Sequence, residues 1–179
     1  VFGAAALRLG AYAEYVALPE NYAIAAKPIN MSFLEAAAVP LGGLNALHFM
    51  RLANIQAGET MLINGAGGSI GTFALQIAKS MGAEVTAVDS AVKGALLKRM
   101  GADHFIDYAR DNFATHGRSY DVVFDMVAGS SYSACLDVLK SGGRYLAGNP
   151  SLAVMLRSVL TSRFTNKTAR FAFAKETAA

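Results

Sequence analysis

Four glycines fall within the seven residues Gly65-Ala66-Gly67-Gly68-Ser69-Ile70-Gly71, and those at 65, 68 and 71 recur at every third position. Such a run suits a phosphate group. Gly65 permits a tight turn out of a strand. A backbone without Cβ at Gly67 or Gly68 lets a pyrophosphate approach, and Gly71 lets the next helix pack against the strand. Free N–H groups and the positive end of that helix then bind the anion. Asp89 lies 18 residues beyond Gly71 and ends a second apolar run. An acid there can accept hydrogen bonds from an adenosine ribose. The glycines alone fit any tight turn, and Asp89 alone fits a helix cap. In the order strand, glycines, helix, strand, acid, they point to a dinucleotide site.

Other phosphate-binding patterns do not match. A P-loop needs Lys-Ser/Thr after its glycines, and Gly71 is followed by Thr72-Phe73. A methyltransferase of the usual kind has an acid just before its glycines, where this chain has Leu62-Ile63-Asn64. A short-chain dehydrogenase needs Tyr with Lys four residues on, and no tyrosine here has one. Cys135 is the single cysteine, which excludes an intrachain disulfide and a multi-cysteine zinc cage. It reads as a core thiol. His48 reads as structural, and His104 and His116 have no evident partner. Arg157, Arg163, Lys167 and Arg170 read as a solvated face, with contact to a cofactor phosphate as the sharper alternative.

The elements that position the loop follow from periodicity. Residues 11–18 alternate like a strand, and Tyr22–Ala26 could form another. Ser32 and Glu35 form a capping box that starts a helix. Pro40 is expected to interrupt it, with Leu41–Ala53 resuming. Thr60–Asn64, Glu84–Asp89, His104–Asp107, Asp121–Asp125, Arg144–Ala147 and Ala169–Ala174 read as six short strands. Between them, Ser69–Ser80, Ala91–Met100, Tyr132–Lys140 and Ser151–Leu160 read as helices. This alternation predicts an α/β fold with a doubly wound, mostly parallel six-stranded sheet of the Rossmann kind, with a short β segment at the N-terminus.

Composition agrees. The chain has 179 residues, 54% apolar and 16% charged, which excludes disorder. Its longest uncharged run, Thr60–Ala78, contains four glycines and is wrong for a membrane span. No Lys/Arg-led apolar stretch opens the sequence, so no signal peptide is expected. A cytoplasmic protein without membrane or nucleic-acid partners is expected. The basic residues are scattered despite a pI of 9.1. So apolar a chain implies surface covered by a second subunit or a further domain.

The segments AAAVPLGGLNALHF, INGAGGSIGTFALQIAK, GAEVTAVDS, MGADHFIDY, YDVVFDMV and GGRYLAG occur in this order. In them the chain resembles the medium-chain dehydrogenase/reductase superfamily, nearest its quinone-oxidoreductase-like, zinc-free branch. The resemblance implies an excised cofactor domain. Residues 1–29 would be the end of a mostly missing GroES-like catalytic domain, and 30–179 an NAD(P)-binding Rossmann domain. By position, Gly65, Gly67, Gly68, Ser69, Ile70 and Gly71 would hold the pyrophosphate. Asp89, Ser90 and Lys93 would surround the ribose, and Tyr108 would lie near the adenine end. Val127, Ala128, Ala147, Gly148 and Asn149 would line the nicotinamide side. Asn45 stands there where relatives often carry Thr. Zinc-dependent relatives place a ligand near Gly42, but Pro40–Ala46 holds no Cys, Asp, Glu or His, so no zinc is expected.

The implied activity is hydride transfer from NAD(P)H to a quinone or another α,β-unsaturated carbonyl compound, by a protein that is a homodimer. Its catalytic residues would lie in the missing domain. A zinc-type alcohol dehydrogenase and a non-catalytic dinucleotide-binding module are the alternatives. Asp89 suits the free 2′-hydroxyl of NAD, whereas Lys93 and Tyr108 favour NADP. Dual use with a bias to NADP is expected.

Overall fold

The computed structural model describes residues 1–4, 12–19 and 21–172. A small antiparallel pair, β1 (Phe2–Gly3) and β2 (Ile24–Ala25), precedes α1 (Phe33–Ala53). Then follow β3 (Thr60–Asn64), α2 (Ser69–Ser80), β4 (Glu84–Asp89), α3 (Ala91–Arg99), β5 (His104–Asp107) and β6 (Tyr120–Asp125). The chain continues through α4 (Tyr132–Asp137), β7 (Leu139–Ala147), α5 (Leu152–Phe164) and β8 (Thr168–Phe171). The six strands β3–β8 form one sheet, all parallel, in the order β5-β4-β3-β6-β7-β8. The order reverses between β3 and β6. That reversal opens a crevice at the strands' carboxyl ends.

Alternation along each strand divides the core. Met61, Ile63, Val85, Val122, Phe124 and Leu146 face the layer that contains Phe49 of α1 and Leu75 of α2. Leu62, Val88, Val123 and Tyr145 face the opposite layer, with Tyr132 and Cys135 of α4. Cys135 is therefore the buried core thiol expected of it.

Four expectations are corrected. Pro40 does not interrupt α1, which runs unbroken through it. The capping box holds its first turn, with Ser32 N–H donating to Glu35 Oε2 at 2.8 Å and Glu35 N–H to Ser32 Oγ at 3.2 Å. Close packing on α2 holds the middle: a Cβ on Gly42 would stand 2.9 Å from the Phe73 ring. One lost backbone bond at Pro40 is outweighed by this burial. The expected strand over 11–18 is not formed at 12–18, and Ala11 lies outside the described residues. The helix expected over Tyr132–Lys140 ends at Asp137. The chain then enters β7, whose pairing with β6 shifts register before Arg144, where Gly142 adopts φ +75°. Finally, the sixth strand ends at Phe171 rather than Ala174, which is outside the described residues.

Two surface readings also change. His104 Nε2 lies 2.7 Å from Glu84 Oε1. The basic run is partly engaged: Arg157 lies over the Tyr132 ring, Lys167 donates to Leu136 O, and Arg170 donates to Leu52 O. Among the described residues, no helix is long and apolar enough to cross a membrane.

The first turn of α2 sits directly on the β3–α2 turn. A Cβ on Gly71 would collide with the carbonyl oxygen of Gly65 and stand 2.7 Å from that of Ala66. Both obstacles are backbone and cannot rotate away. Gly71→Ala is expected to cost about 1–3 kcal/mol as overpacking, despite alanine's better helix propensity. Chemical denaturation checks this, and an unchanged or raised midpoint contradicts it.

Candidate cofactor site

The glycine loop leaves β3 through Gly65, whose φ of +85° is the left-handed conformation that favours glycine. The N–H groups of Gly65 and Ala66 donate to Val88 O at 3.0 and 3.1 Å, tying the turn to the end of β4. Gly68 N–H donates to Gly65 O, and Gly68 becomes the N-cap of α2 without a side-chain cap bond. By contrast, α1, α4 and α5 are each capped by a serine hydroxyl. The first-turn amides at Ser69, Ile70 and Gly71 thus lie at a positive helix end with no side chain across them. This is the arrangement a phosphate uses. At Gly68 a Cβ would meet only Gly65 O, at 3.4 Å, so the loop's outer side is open.

Asp89 closes the other side. Its Oδ2 accepts from Gly67 N–H at 2.7 Å, and its Oδ1 accepts from Ser90 N–H at 2.8 Å. Lys93 Nζ lies 3.3 Å from Oδ1. A Cβ on Gly67 would run into the Lys93 stem and stand 2.9 Å from Asp89 Oδ2, so a larger residue there would have to displace these two side chains. Burial pushes the Asp89 carboxyl up, but the bonds from Ser90, Gly67 and Lys93 outweigh it and hold the group below its ordinary range.

Two clefts flank the loop at the carboxyl ends of the strands. One, of about 340 Å³, is lined by Asn64, Val88, Tyr108 and the segment 109–113. The other, of about 280 Å³, is lined by Asp125, Val127–Ser130, Tyr145, Ala147, Asn149–Ser151 and Val154. Tyr108 therefore lies on the β4–β5 side of the switch point, and Val127, Ala128, Ala147 and Asn149 lie on the β6–β7 side. Gly148 sits against Met126 and donates its N–H to Asp125 O at 2.8 Å. Asn45 lines neither cleft; its amide donates to Leu41 O of its own helix at 2.9 Å. Among the described residues, no three His, Cys, Asp or Glu side chains cluster as metal ligands would.

The family described as zinc-binding dehydrogenase matches residues 69–152. Over 138 residues the chain is 39% identical to a 2-methylene-furan-3-one reductase of Solanum lycopersicum, covering 76% of this chain and 35% of that protein. It is 36% identical over 143 residues to an NADPH-dependent alkenal/one oxidoreductase of Arabidopsis thaliana, covering 78% and 36%. The solved quinone oxidoreductase of Coxiella burnetii superposes with a TM-score of 0.77 at 29% identity, covering 86% of this chain and 48% of that one. The chain belongs to the medium-chain dehydrogenase/reductase superfamily and is quinone-oxidoreductase-like. It spans between a third and a half of the length of these relatives.

This medium-chain dehydrogenase/reductase chain also has site residues that spacing did not single out. Asn64 and Asp125 are register partners at the ends of β3 and β6, the two strands that flank the switch point. Asn64 Nδ2 donates to Asp125 Oδ1 at 2.9 Å. Their signal in the sequence was a polar residue closing the apolar run of each strand, at the end of TMLIN and of YDVVFD.

Asp89 links the loop to pH. Its folded pKa lies below the ordinary carboxylate value of 3.8, so its stabilisation is complete above that value and is lost as pH falls through the folded pKa. Asp89→Asn is expected to melt below the parent chain at pH 7, and the gap should close on acidification. Melting curves across pH check this, and a gap that widens at low pH contradicts it.

Proposed function

We propose that this chain is the cofactor-binding domain of an NAD(P)H-dependent reductase that delivers hydride to quinones or other α,β-unsaturated carbonyl compounds. The observation that carries the reading is the uncapped α2 N-terminus beneath an open glycine loop, at the switch point of the β5-β4-β3-β6-β7-β8 sheet. The named relatives act on alkenals, enones and quinones, and one is named for its NADPH dependence.

In this reading, the Gly65, Gly67 and Gly68 backbone lies against the pyrophosphate, and the amides of Ser69, Ile70 and Gly71 bind it. Asp89, Ser90 and Lys93 lie at the ribose, and Tyr108 at the adenine end. Val127, Ala128, Ala147, Gly148 and Asn149 hold the ring side, with Asn45 nearby. The bound nicotinamide supplies the hydride. The chain's own residues bind and orient it, so that catalysis comes from holding two reactants together. No zinc is needed for that. The other half of the substrate cleft belongs to a GroES-like domain of which residues 1–29 are the end. Among the described residues β8 is an edge strand, and α5 beside it exposes Leu152, Leu156 and Phe164, apolar surface that suits a second copy.

Gly68→Asp tests the loop. The space around Gly68 accepts a side chain, and aspartate is a good N-cap, so the variant should fold. Its carboxylate would occupy the phosphate position with like charge. Affinity for NADH and NADPH is expected to fall at least about 100-fold, equivalent to roughly 3 kcal/mol. Calorimetry giving equal affinity for the folded variant removes the assignment.

The choice of cofactor turns on a charge pair. Lys93 faces Asp89 at 3.3 Å and offsets the repulsion that carboxylate exerts on a 2′-phosphate. The bias to NADP therefore depends on Lys93. Lys93→Ala is expected to shift the affinity ratio toward NADH, and Asp89→Ser toward NADPH. If neither moves the ratio, the ribose does not sit at the end of β4.

A further inference from the structure

The phosphate and ribose contacts leave one buried charged group without a task. Asp125, at the end of β6, is 5% exposed. Its two oxygens collect five donors. Oδ1 accepts from Asn64 Nδ2 at 2.9 Å and from Val127 N–H at 3.1 Å. Oδ2 faces Tyr145 Oη at 3.1 Å, Cys135 Sγ at 3.8 Å and Ser130 Oγ. Among the described residues, no cation pairs with it. The lone pairs of both carboxyl oxygens are thus satisfied by donors. Neutral donors solvate its charge without cancelling it.

The same carboxylate lines the cleft of about 280 Å³ shared with Val127, Ala128, Ala147 and Asn149. On the reading proposed above, the nicotinamide ring lies in this cleft. The two forms of that ring differ by one hydride, given up to the enone or quinone acceptor, and by one positive charge. A fixed negative charge in a poorly solvated wall distinguishes them, because it attracts the cationic form and leaves the neutral form almost unaffected. We infer that Asp125 sets the relative affinity of the site for the two redox forms, favouring the oxidised ring and so making the bound dinucleotide a stronger hydride donor than the free one. This rests on the dinucleotide reading and goes beyond it, by giving the buried carboxylate an electrostatic role toward the ring.

Asp125→Asn removes the charge with little change of shape. The amide oxygen can stay opposite Asn64 and Val127, which only donate. The amide nitrogen then faces the hydroxyls of Ser130 and Tyr145, which can turn to accept. Calorimetry with NADP⁺ and with NADPH on the chain and on the variant gives the ratio of the two dissociation constants. Asp125→Asn is expected to weaken NADP⁺ relative to NADPH by roughly fivefold. Ala128→Lys, at an exposed position on the same cleft, is expected to move the ratio the same way. An unchanged ratio in a folded Asp125→Asn, with both nucleotides still bound, overturns the inference. If that variant does not fold, Ala128→Lys decides, and an unchanged ratio there overturns it. If the parent chain binds neither nucleotide, the dinucleotide reading itself falls.

Discussion

At residue 71 there is room for a hydrogen atom and little else. The carbonyls of Gly65 and Ala66 occupy the space that any side chain would take. Because α2 can approach that closely, it begins directly off the end of β3, and its first-turn amides are delivered to the crevice where the strand order reverses. Gly65 makes the turn in the left-handed region, and its N–H is held by Val88 O of the neighbouring strand. The loop's shape is thus set by backbone contacts on both sides. Gly65 and Gly71 are a steric requirement of the strand–helix junction before they are part of a binding motif.

Around this junction, the carboxylates at the strand ends are tied down by nearby amides. Asp89 ends β4 and accepts from Gly67 and Ser90. Asp107 is its register partner on β5 and accepts from Ala109 N–H at 3.1 Å. Asp125 ends β6 and accepts from Val127. Each carboxylate orders the turn that follows its own strand, and Asp89 also holds the glycine loop. The rim of the crevice is therefore rigid and polar, although the sheet beneath it is apolar. Negative charge on that rim is balanced unevenly: Lys93 faces Asp89, whereas Asp125 has only neutral donors. The two ends of the crevice consequently present different electrostatic environments to a bound ligand.

The central part of the fold was legible because its signals are local. Thr60–Asn64, Ser69–Ser80, Glu84–Asp89 and His104–Asp107 follow directly from short apolar runs and helical spacing. Errors arose where tertiary contacts outweigh local preference. Pro40 stays within α1 because Gly42 allows that helix close against Phe73. Gly142-Gly143 looks like a helix terminator but instead relaxes the register of β7 against β6. The glycine loop and Asp89 could be found from spacing. The Asn64–Asp125 pair could not, because its members are far apart in sequence and meet only when β3 and β6 become neighbours across the switch point.

The proposed function rests on phosphate binding at the α2 N-terminus. The most direct measurement is the backbone amide spectrum of the labelled chain, titrated with NADPH. The largest shifts are expected at Gly67, Gly68, Ser69, Ile70 and Gly71, with smaller ones at Ser90 and Ala128. Saturable binding that leaves the 67–71 amides unmoved would contradict the account.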